Sequence, residues 1–137
     1  MQVYPAELVD LNICYHMNGS YTTDYVWQMQ SRNNGRRTDI RFDIVRLPRS
    51  MQVNYPRELD ELLEHWEQKG CFFVVRNMQD QTVGFVDAQP QLWQSTLWIS
   101  NLMVERKFRR QGVGTLLLDS ARQWAVEHQL HNIMLEL

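Results

Sequence analysis

Residues 97–115 read Leu-Trp-Ile-Ser-Asn-Leu-Met-Val-Glu-Arg-Lys-Phe-Arg-Arg-Gln-Gly-Val-Gly-Thr. An apolar strand pattern runs into a basic turn containing glycine, and the turn opens directly into an amphipathic helix pattern. Between Glu105 and Gln111 four cations (Arg106, Lys107, Arg109, Arg110) face one anion, a net charge of +3; the whole chain carries −2, so the other 130 residues carry −5. Positive charge is therefore gathered where a helix begins. A helix start already presents unpaired N–H groups and about half a positive charge from the macrodipole. The junction is an anion site by construction.

The glycines narrow the kind of anion. Gly112 and Gly114 carry no Cβ, so an extended ligand can lie against the main chain while several N–H groups converge on phosphate oxygens. No Ser, Thr, Asp or Asn stands ahead of Gly112 to cap the helix, which leaves those donors for a ligand. Two other phosphate motifs are excluded by spacing. A P-loop needs a Lys before Thr115 and a glycine further upstream, and neither is present. A dinucleotide fingerprint needs a third glycine where Leu117 stands, and a turn directly after its strand.

At 137 residues, with 44% hydrophobic and 22% charged residues, the chain suits one folded domain with a sizeable core. No apolar run approaches membrane-spanning length. Glu7 and Asp10 stand where a signal peptide would be basic and then apolar, so a cytoplasmic protein is expected. Cys14 and Cys71 have no metal or redox spacing and fit a reducing compartment; no metal is expected.

Along the chain, Pro5, Leu8, Leu11 and Tyr15 predict a helix over residues 5–17, with proline in its first turn and Asn18-Gly19 as its stop. Alternation over 25–30 and 38–44, around Asn34-Gly35, predicts a β-hairpin. Leu59, Leu62, Leu63 and Trp66 form a stripe that predicts a helix over 56–69; its Glu58, Glu61, Glu64 and Glu67 are read as a solvated face and His65 as a surface residue. Residues 72–76, 82–88 and 96–104 predict antiparallel strands, with Gln89 to Gln94 as a turn. In the third strand Leu97, Ile99, Asn101 and Met103 are expected on one face and Trp98, Ser100, Leu102 and Val104 on the other. A helix over 112–128 buries Val113, Leu117, Ala121 and Trp124, and a last strand over 132–137 runs parallel to its predecessor, as a crossover of this length requires.

The stretch from Val104 to Gly114 resembles the acetyl-CoA signature of the GNAT superfamily of N-acetyltransferases, whose core is [Arg/Gln]-x-x-Gly-x-[Gly/Ala]. The core falls on Arg109-Arg110-Gln111-Gly112-Val113-Gly114, with Val104 closing the strand, Phe108 preceding the arginines and Leu116 to Leu118 following. The resemblance implies an α/β (α+β) fold: a mixed, mostly antiparallel sheet flanked by helices. It also implies one domain over 1–137, with a variable part (1–70) and an acetyl-CoA-binding core (71–137). Acetyl-CoA would be the cosubstrate, its pantetheine pairing with the backbone of Leu102, Met103 and Val104 and its pyrophosphate lying over Arg109, Arg110, Gln111, Gly112, Val113, Gly114 and Thr115.

The implied reaction is direct attack of a primary amine, on a small molecule or a peptide, within a ternary complex. A backbone N–H at Met103 would stabilise the oxyanion. Asp87, Glu105 and Glu136 are the candidate bases, Asp87 foremost, and Asn101 would orient a water. Tyr25, Trp27 and Trp98 are candidate walls of the acceptor pocket, whose identity the sequence leaves open. Members of the family usually continue past the strand ending at Leu137 with an Asn-x-x-Ala helix, a Tyr that protonates the thiolate, and two more strands. All five tyrosines here, Tyr4, Tyr15, Tyr21, Tyr25 and Tyr55, precede the signature. The fold is thus expected to be C-terminally incomplete, a piece of a longer enzyme or a homodimer joined through the edge that Ile133, Leu135 and Leu137 leave uncovered. Two rival readings are a non-catalytic CoA-ester-binding or regulatory domain, and nucleic-acid binding through Arg32, Arg36, Arg37 and residues 105–111. The acidic remainder and the lack of a base-stacking motif argue against the latter.

Overall fold

The computed structural model describes residues 1–136. In chain order its elements are β1 (Gln2–Pro5), α1 (Leu8–Tyr15), β2 (Tyr21–Asn33), β3 (Thr38–Val53), α2 (Leu62–Glu67), β4 (Cys71–Arg76), β5 (Thr82–Gln91), β6 (Thr96–Val104), α3 (Val113–Glu127) and β7 (Asn132–Leu135). They form two compact units, residues 1–19 with 56 onward, and residues 20–55.

The first unit is built on a five-stranded sheet in the order β1-β4-β5-β6-β7. All pairings are antiparallel except β6 with β7, which is parallel, so the sheet is mixed as expected. Helix α3 covers one face. Its Val113, Leu117, Ala121 and Ala125 recur every fourth residue and pack with Val75, Val86, Ala88, Leu97 and Ile99 into the core. Ala125 takes the buried place expected of Trp124, which is half-buried and stacks on His128 at 3.7 Å. On the other face Phe85 stacks on Phe72 at 6.0 Å, and Leu11, Cys14 and Leu62 bring the buried sides of α1 and α2.

Three expectations are corrected. Pro5 ends strand β1 opposite Phe73 instead of opening a helix. Among the described residues β1 has only β4 as neighbour, and an edge strand accommodates proline because one side of its backbone needs no donor. The helix expected over 56–69 forms only over Leu62–Glu67, the part that holds the buried Leu62 and the partly buried His65 and Trp66; none of residues 56–61 is buried, so further turns there would gain little. Strand β5 runs on through Pro90 to Gln91, and the reversal falls on residues 92–94 with Ser95 in the left-handed region.

The fourth correction concerns β6. Its register against β5 pairs Asp87 with Asn101 but Ala88 with Ile99, so Ser100 is an extra residue, a β-bulge. The alternation therefore changes sides. Leu97 and Ile99 belong to the core under α3, and beyond the bulge Leu102 and Val104 pack there too. Asn101 goes to the opposite face, where it meets Asp87. The expected grouping of Asn101 and Met103 with Leu97 and Ile99 is thus reversed.

The second unit is the antiparallel ribbon of β2 and β3, the predicted hairpin with longer strands. Gly35 takes φ +88° at the turn, and the Asn33 and Asn34 side chains accept N–H bonds from Gly35, Arg36 and Arg37. Trp27 pairs with Ile44 and Met29 with Phe42, so with Tyr25 and Ile40 they share one face, each more than half exposed.

Cys14 and Cys71 are both buried, and their thiols are pushed up to about 12, chiefly by burial; nearby carboxylates, Asp10 and Asp87 for Cys14 and Asp87 for Cys71, add to it. The thiolate is the reactive form. At about pH 8, where an exposed thiol is partly ionised, iodoacetamide should leave both unmodified in the folded protein and label both in denaturant. Rapid native labelling of either would show that the site opens.

Candidate functional site

Strand β6 ends at Val104, and Glu105 still donates its N–H to Val83 O at 2.8 Å. A single 3₁₀ turn over Arg106–Phe108 follows, and Phe108 packs against the core beneath. Arg109 donates Nε to Val104 O at 2.9 Å and a terminal guanidinium N–H to Asn18 O at 3.0 Å. Two main-chain carbonyls thus fix the arginine expected over the pyrophosphate, which gives it a part in shaping the turn. Gln111 donates to Lys107 O at 3.2 Å, while Arg106, Lys107 and Arg110 are exposed.

Gly112 is the residue before the first turn of α3 and sits at φ +86°, a conformation that side chains resist. No side chain caps the helix. A Cβ built on Gly112 or on Gly114 would meet nothing within 4 Å. Val113 is buried, Gly114 is half-buried, and Gly112 and Thr115 are exposed. The arrangement is an open surface of main-chain donors with cations beside it.

The strand before the turn offers a second recognition element. The β6–β7 ladder ends at the pair Ile99 and Leu135, and residues 101–104 continue past it. In an antiparallel ladder the residues that bond to the neighbouring strand alternate. Glu105 bonds to Val83, so Met103 and Asn101 direct their main-chain groups to β5, while Leu102 and Val104 direct theirs away from it. The Met103 carbonyl accordingly lies 3.0 Å from where Gly84 would carry a Cβ. Met103, expected to supply the oxyanion donor, thus turns its main-chain groups to β5, and the N–H groups aimed off the sheet are those of Leu102 and Val104.

Asp87 and Asn101 are brought together on the face away from α3. Asp87 is 1% exposed, and both its oxygens are engaged. Oδ2 is hydrogen-bonded with His65 Nδ1 at 2.5 Å and accepts from Asn101 Nδ2 at 3.1 Å, and Oδ1 accepts from Gln89 Nε2 at 2.6 Å. Ser100 at the bulge donates its hydroxyl to Gln89 Oε1, extending the network. Burial pushes the Asp87 carboxyl above the usual carboxylate range, against the downward pull of its bonds to His65, Asn101 and Gln89.

His65 is the residue that sequence reading missed. Expected on a solvated face, its side chain is 12% exposed and bonded to Asp87. Its only mark in the sequence is its place one residue before Trp66 in a short amphipathic stretch; the partner stands 22 positions away on another element. Beside it opens a cleft of about 320 Å³ lined by Arg57, Glu58, Asp60, Glu61, His65, Ser100 and Asn101. The other two candidate bases do not join the Asp87 network. Glu105 accepts from the N–H of Arg106, and Glu136 pairs with Arg57 at 2.7 Å. Of the candidate walls, Trp98 is half-buried on β6, and Tyr25 and Trp27 lie on the exposed face of the ribbon. Leu137 is outside the described residues.

Among the described residues no group of three or more His, Cys, Asp or Glu side chains is placed to hold a metal, and no helix is long and apolar enough to cross a membrane. The chain is similar in structure to a nourseothricin acetyltransferase (TM-score 0.77, 21% identity, 99% of this chain and 72% of that one). It is also similar to a candidate streptothricin acetyltransferase from Bacillus anthracis str. Ames, solved in complex with acetyl coenzyme A (0.68, 22%, 99% and 74%). A third similar structure is the ribosomal-protein-S18-alanine N-acetyltransferase from Escherichia coli (0.63, 15%, 99% and 66%). At these identities the likeness is one of fold. No curated protein matches the sequence significantly. The model of the acetyltransferase (GNAT) family matches residues 42–137, which takes in β4 to β7 and the whole basic junction, and the chain belongs to that family.

Proposed function

We propose that the chain transfers an acetyl group from acetyl-CoA to a primary amine within a ternary complex. The observation that carries this reading is the uncapped start of α3, where Gly112 takes a left-handed conformation and the space over both glycines is open. A diphosphate fits such a surface, because main-chain N–H groups and the helix dipole favour anions. Arg110, Gln111, Gly112, Val113, Gly114 and Thr115 would hold it, with Arg109 bracing the turn. The groups of Leu102 and Val104 that point off β6 would pair with an extended pantetheine arm. When bound, acetyl-CoA supplies the activated acyl group; the chain supplies position, charge and a proton acceptor.

The acceptor is a small-molecule or peptide amine. Residues 1–70 shape its side of one functional domain over 1–137, and residues 71–137 hold the cosubstrate. The two buried thiols suit a reducing cytoplasm. Exposed Ile133, Met134 and Leu135 on β7 make that edge the surface for a homodimer; sedimentation velocity over a range of concentrations should then show a dimer, and a monomer throughout would remove this part of the reading.

Calorimetric titration with acetyl-CoA, followed by thiol release in the presence of an amine panel, tests the activity. The panel includes nourseothricin and a peptide with an N-terminal alanine, after the substrates in the names of the similar enzymes. Binding with amine-dependent thiol release is the expected result. Binding without release from any amine would favour a regulatory CoA-ester domain, and no binding would sink the proposal. Gly112→Glu places bulk and negative charge on the open surface and forces a side chain into φ +86°. Acetyl-CoA affinity should fall at least tenfold, about 1.4 kcal/mol, and an unchanged affinity in the folded variant would mean that the glycine serves the turn alone.

A further inference from the structure

Asp87 cannot itself meet a substrate amine. Its carboxylate is 1% exposed and fully engaged by His65, Asn101 and Gln89. His65 lines the cleft beside it, one ring nitrogen on Asp87 and the other, Nε2, 3.4 Å from Glu61 Oε2, which lines the same cavity. The Glu61 side chain is 74% exposed, so water and substrate compete readily for that contact. Arg57, on the wall of the same cleft, reaches Glu136, the residue after the end of β7, so the cavity opens where the β6–β7 ladder has stopped. Ser100 and Asn101, at the bulge, form its other side.

We propose that His65, held by Asp87 with its proton on Nδ1, is the general base that takes a proton at Nε2 from the acceptor ammonium in this cleft. The inference rests on the reading of the chain as an amine acetyltransferase and assigns its proton path. A carboxylate on one imidazole nitrogen fixes the tautomer and stabilises the cation that forms when the other accepts. Asp87 is therefore a positioning residue, and Asn101 and Gln89 hold its carboxylate in turn. Glu58, Asp60 and Glu61 give the cleft the charge that draws in a cation. The ammonium gives one proton to Nε2; the neutral nitrogen forms the C–N bond at the thioester carbonyl as the C–S bond breaks. The nitrogen's second surplus proton leaves as the departing thiolate becomes a thiol.

The groups facing the imidazole are Asp87 from β5, Asn101 and Ser100 from β6, Glu61 from its own helical segment, and Arg57, Glu58 and Asp60 from the turn before it. Behind Asp87 lie the two buried thiols, which burial keeps neutral, and Asp10 is bound to Arg76.

Three measurements test the assignment. In the protein without acetyl-CoA, imidazole ¹⁵N shifts should report the Nδ1–H tautomer of neutral His65, and Asp87→Asn should disturb it. His65→Gln should lower kcat/KM for an accepted amine by about a hundred- to ten-thousand-fold and flatten the acidic limb of its pH profile, with acetyl-CoA affinity within about twofold of wild type. Added imidazole should restore part of the activity of His65→Ala. An Nε2–H tautomer in the wild type would overturn the proposal whatever the variants do. So would a folded His65→Gln enzyme with the wild-type rate and pH profile, an outcome that leaves the acetyltransferase reading standing. A wild type that binds acetyl-CoA and acetylates no amine would refute the parent reading and this one with it.

Discussion

Asp10→Ala should destabilise the fold by about 3–5 kcal/mol, the range found when one partner of a buried ion pair is removed. Asp10 is 1% exposed and ties three elements together. Its Oδ2 accepts from Arg76 at the end of β4 at 2.8 Å and from the main-chain N–H of Glu7, ahead of α1, at 2.8 Å; its Oδ1 accepts from the Thr82 hydroxyl at the start of β5 at 2.7 Å. Truncation leaves the Arg76 guanidinium, only 15% exposed, beside an apolar methyl and strands the Thr82 hydroxyl. Arg76 retains its place over the Tyr4 ring at 5.0 Å and a 3.8 Å approach to Glu7, neither of which replaces a buried carboxylate. Urea titration of wild type, Asp10→Ala and Asp10→Asn measures the effect. The asparagine variant, which keeps an acceptor oxygen, should fall between the other two, and a loss below about 1 kcal/mol for alanine would show that the network contributes no more than a surface pair.

Gly84→Ala is expected to cost about 1–3 kcal/mol, the usual penalty for an added methyl in a packed interior, although alanine replacing glycine in an open strand would stabilise it. A Cβ at Gly84 would lie 2.9 Å from Val113 Cγ1, 3.0 Å from the Met103 carbonyl oxygen and 3.2 Å from Leu117 Cδ1. The carbonyl belongs to the β5–β6 ladder and cannot withdraw, so the methyl must displace the first turn of α3. That turn begins at Val113, next to the donors assigned to the diphosphate. Acetyl-CoA affinity should therefore fall together with the urea midpoint. A variant as stable as wild type with unaltered affinity would mean that helix and sheet yield more easily than the close approach implies.

The parts legible in the sequence are those with local causes. Strand β6 and helix α3 carry strong periodicities over many residues, and the basic turn between them is contiguous, so their bounds and the parallel β7 follow from pattern alone. The turn at Asn34-Gly35 is equally local. What escaped depends on partners distant in the chain. Strand β1 has four residues, none of them fully buried, and exists because β4 stands ready to pair with it. Helix α2 stops short because none of residues 56–61 is buried to hold further turns. His65 looks like one more polar residue among glutamates until Asp87 is folded against it. The sequence marks Asp87 as the foremost candidate base; it says nothing about what covers that carboxylate in the fold.

The extra residue at Ser100 acts on β6 as a frameshift acts on a message. Before it the odd-numbered positions, Leu97 and Ile99, lie under α3; after it the even ones, Leu102 and Val104, take over that duty. Both stretches stay apolar toward the helix, yet Asn101 is released to the opposite layer and its bond with Asp87. Excision of that one residue would bring Ile99 and Asn101 side by side opposite Ala88 and Asp87, an unbroken ladder in which Leu102 stays under the helix and the amide stays on the carboxylate. What excision would remove is the hydroxyl that Ser100 extends to Gln89 and one residue from the wall of the cleft. The core is thus indifferent to the inserted residue while the cleft is built with it, so this one position separates the two.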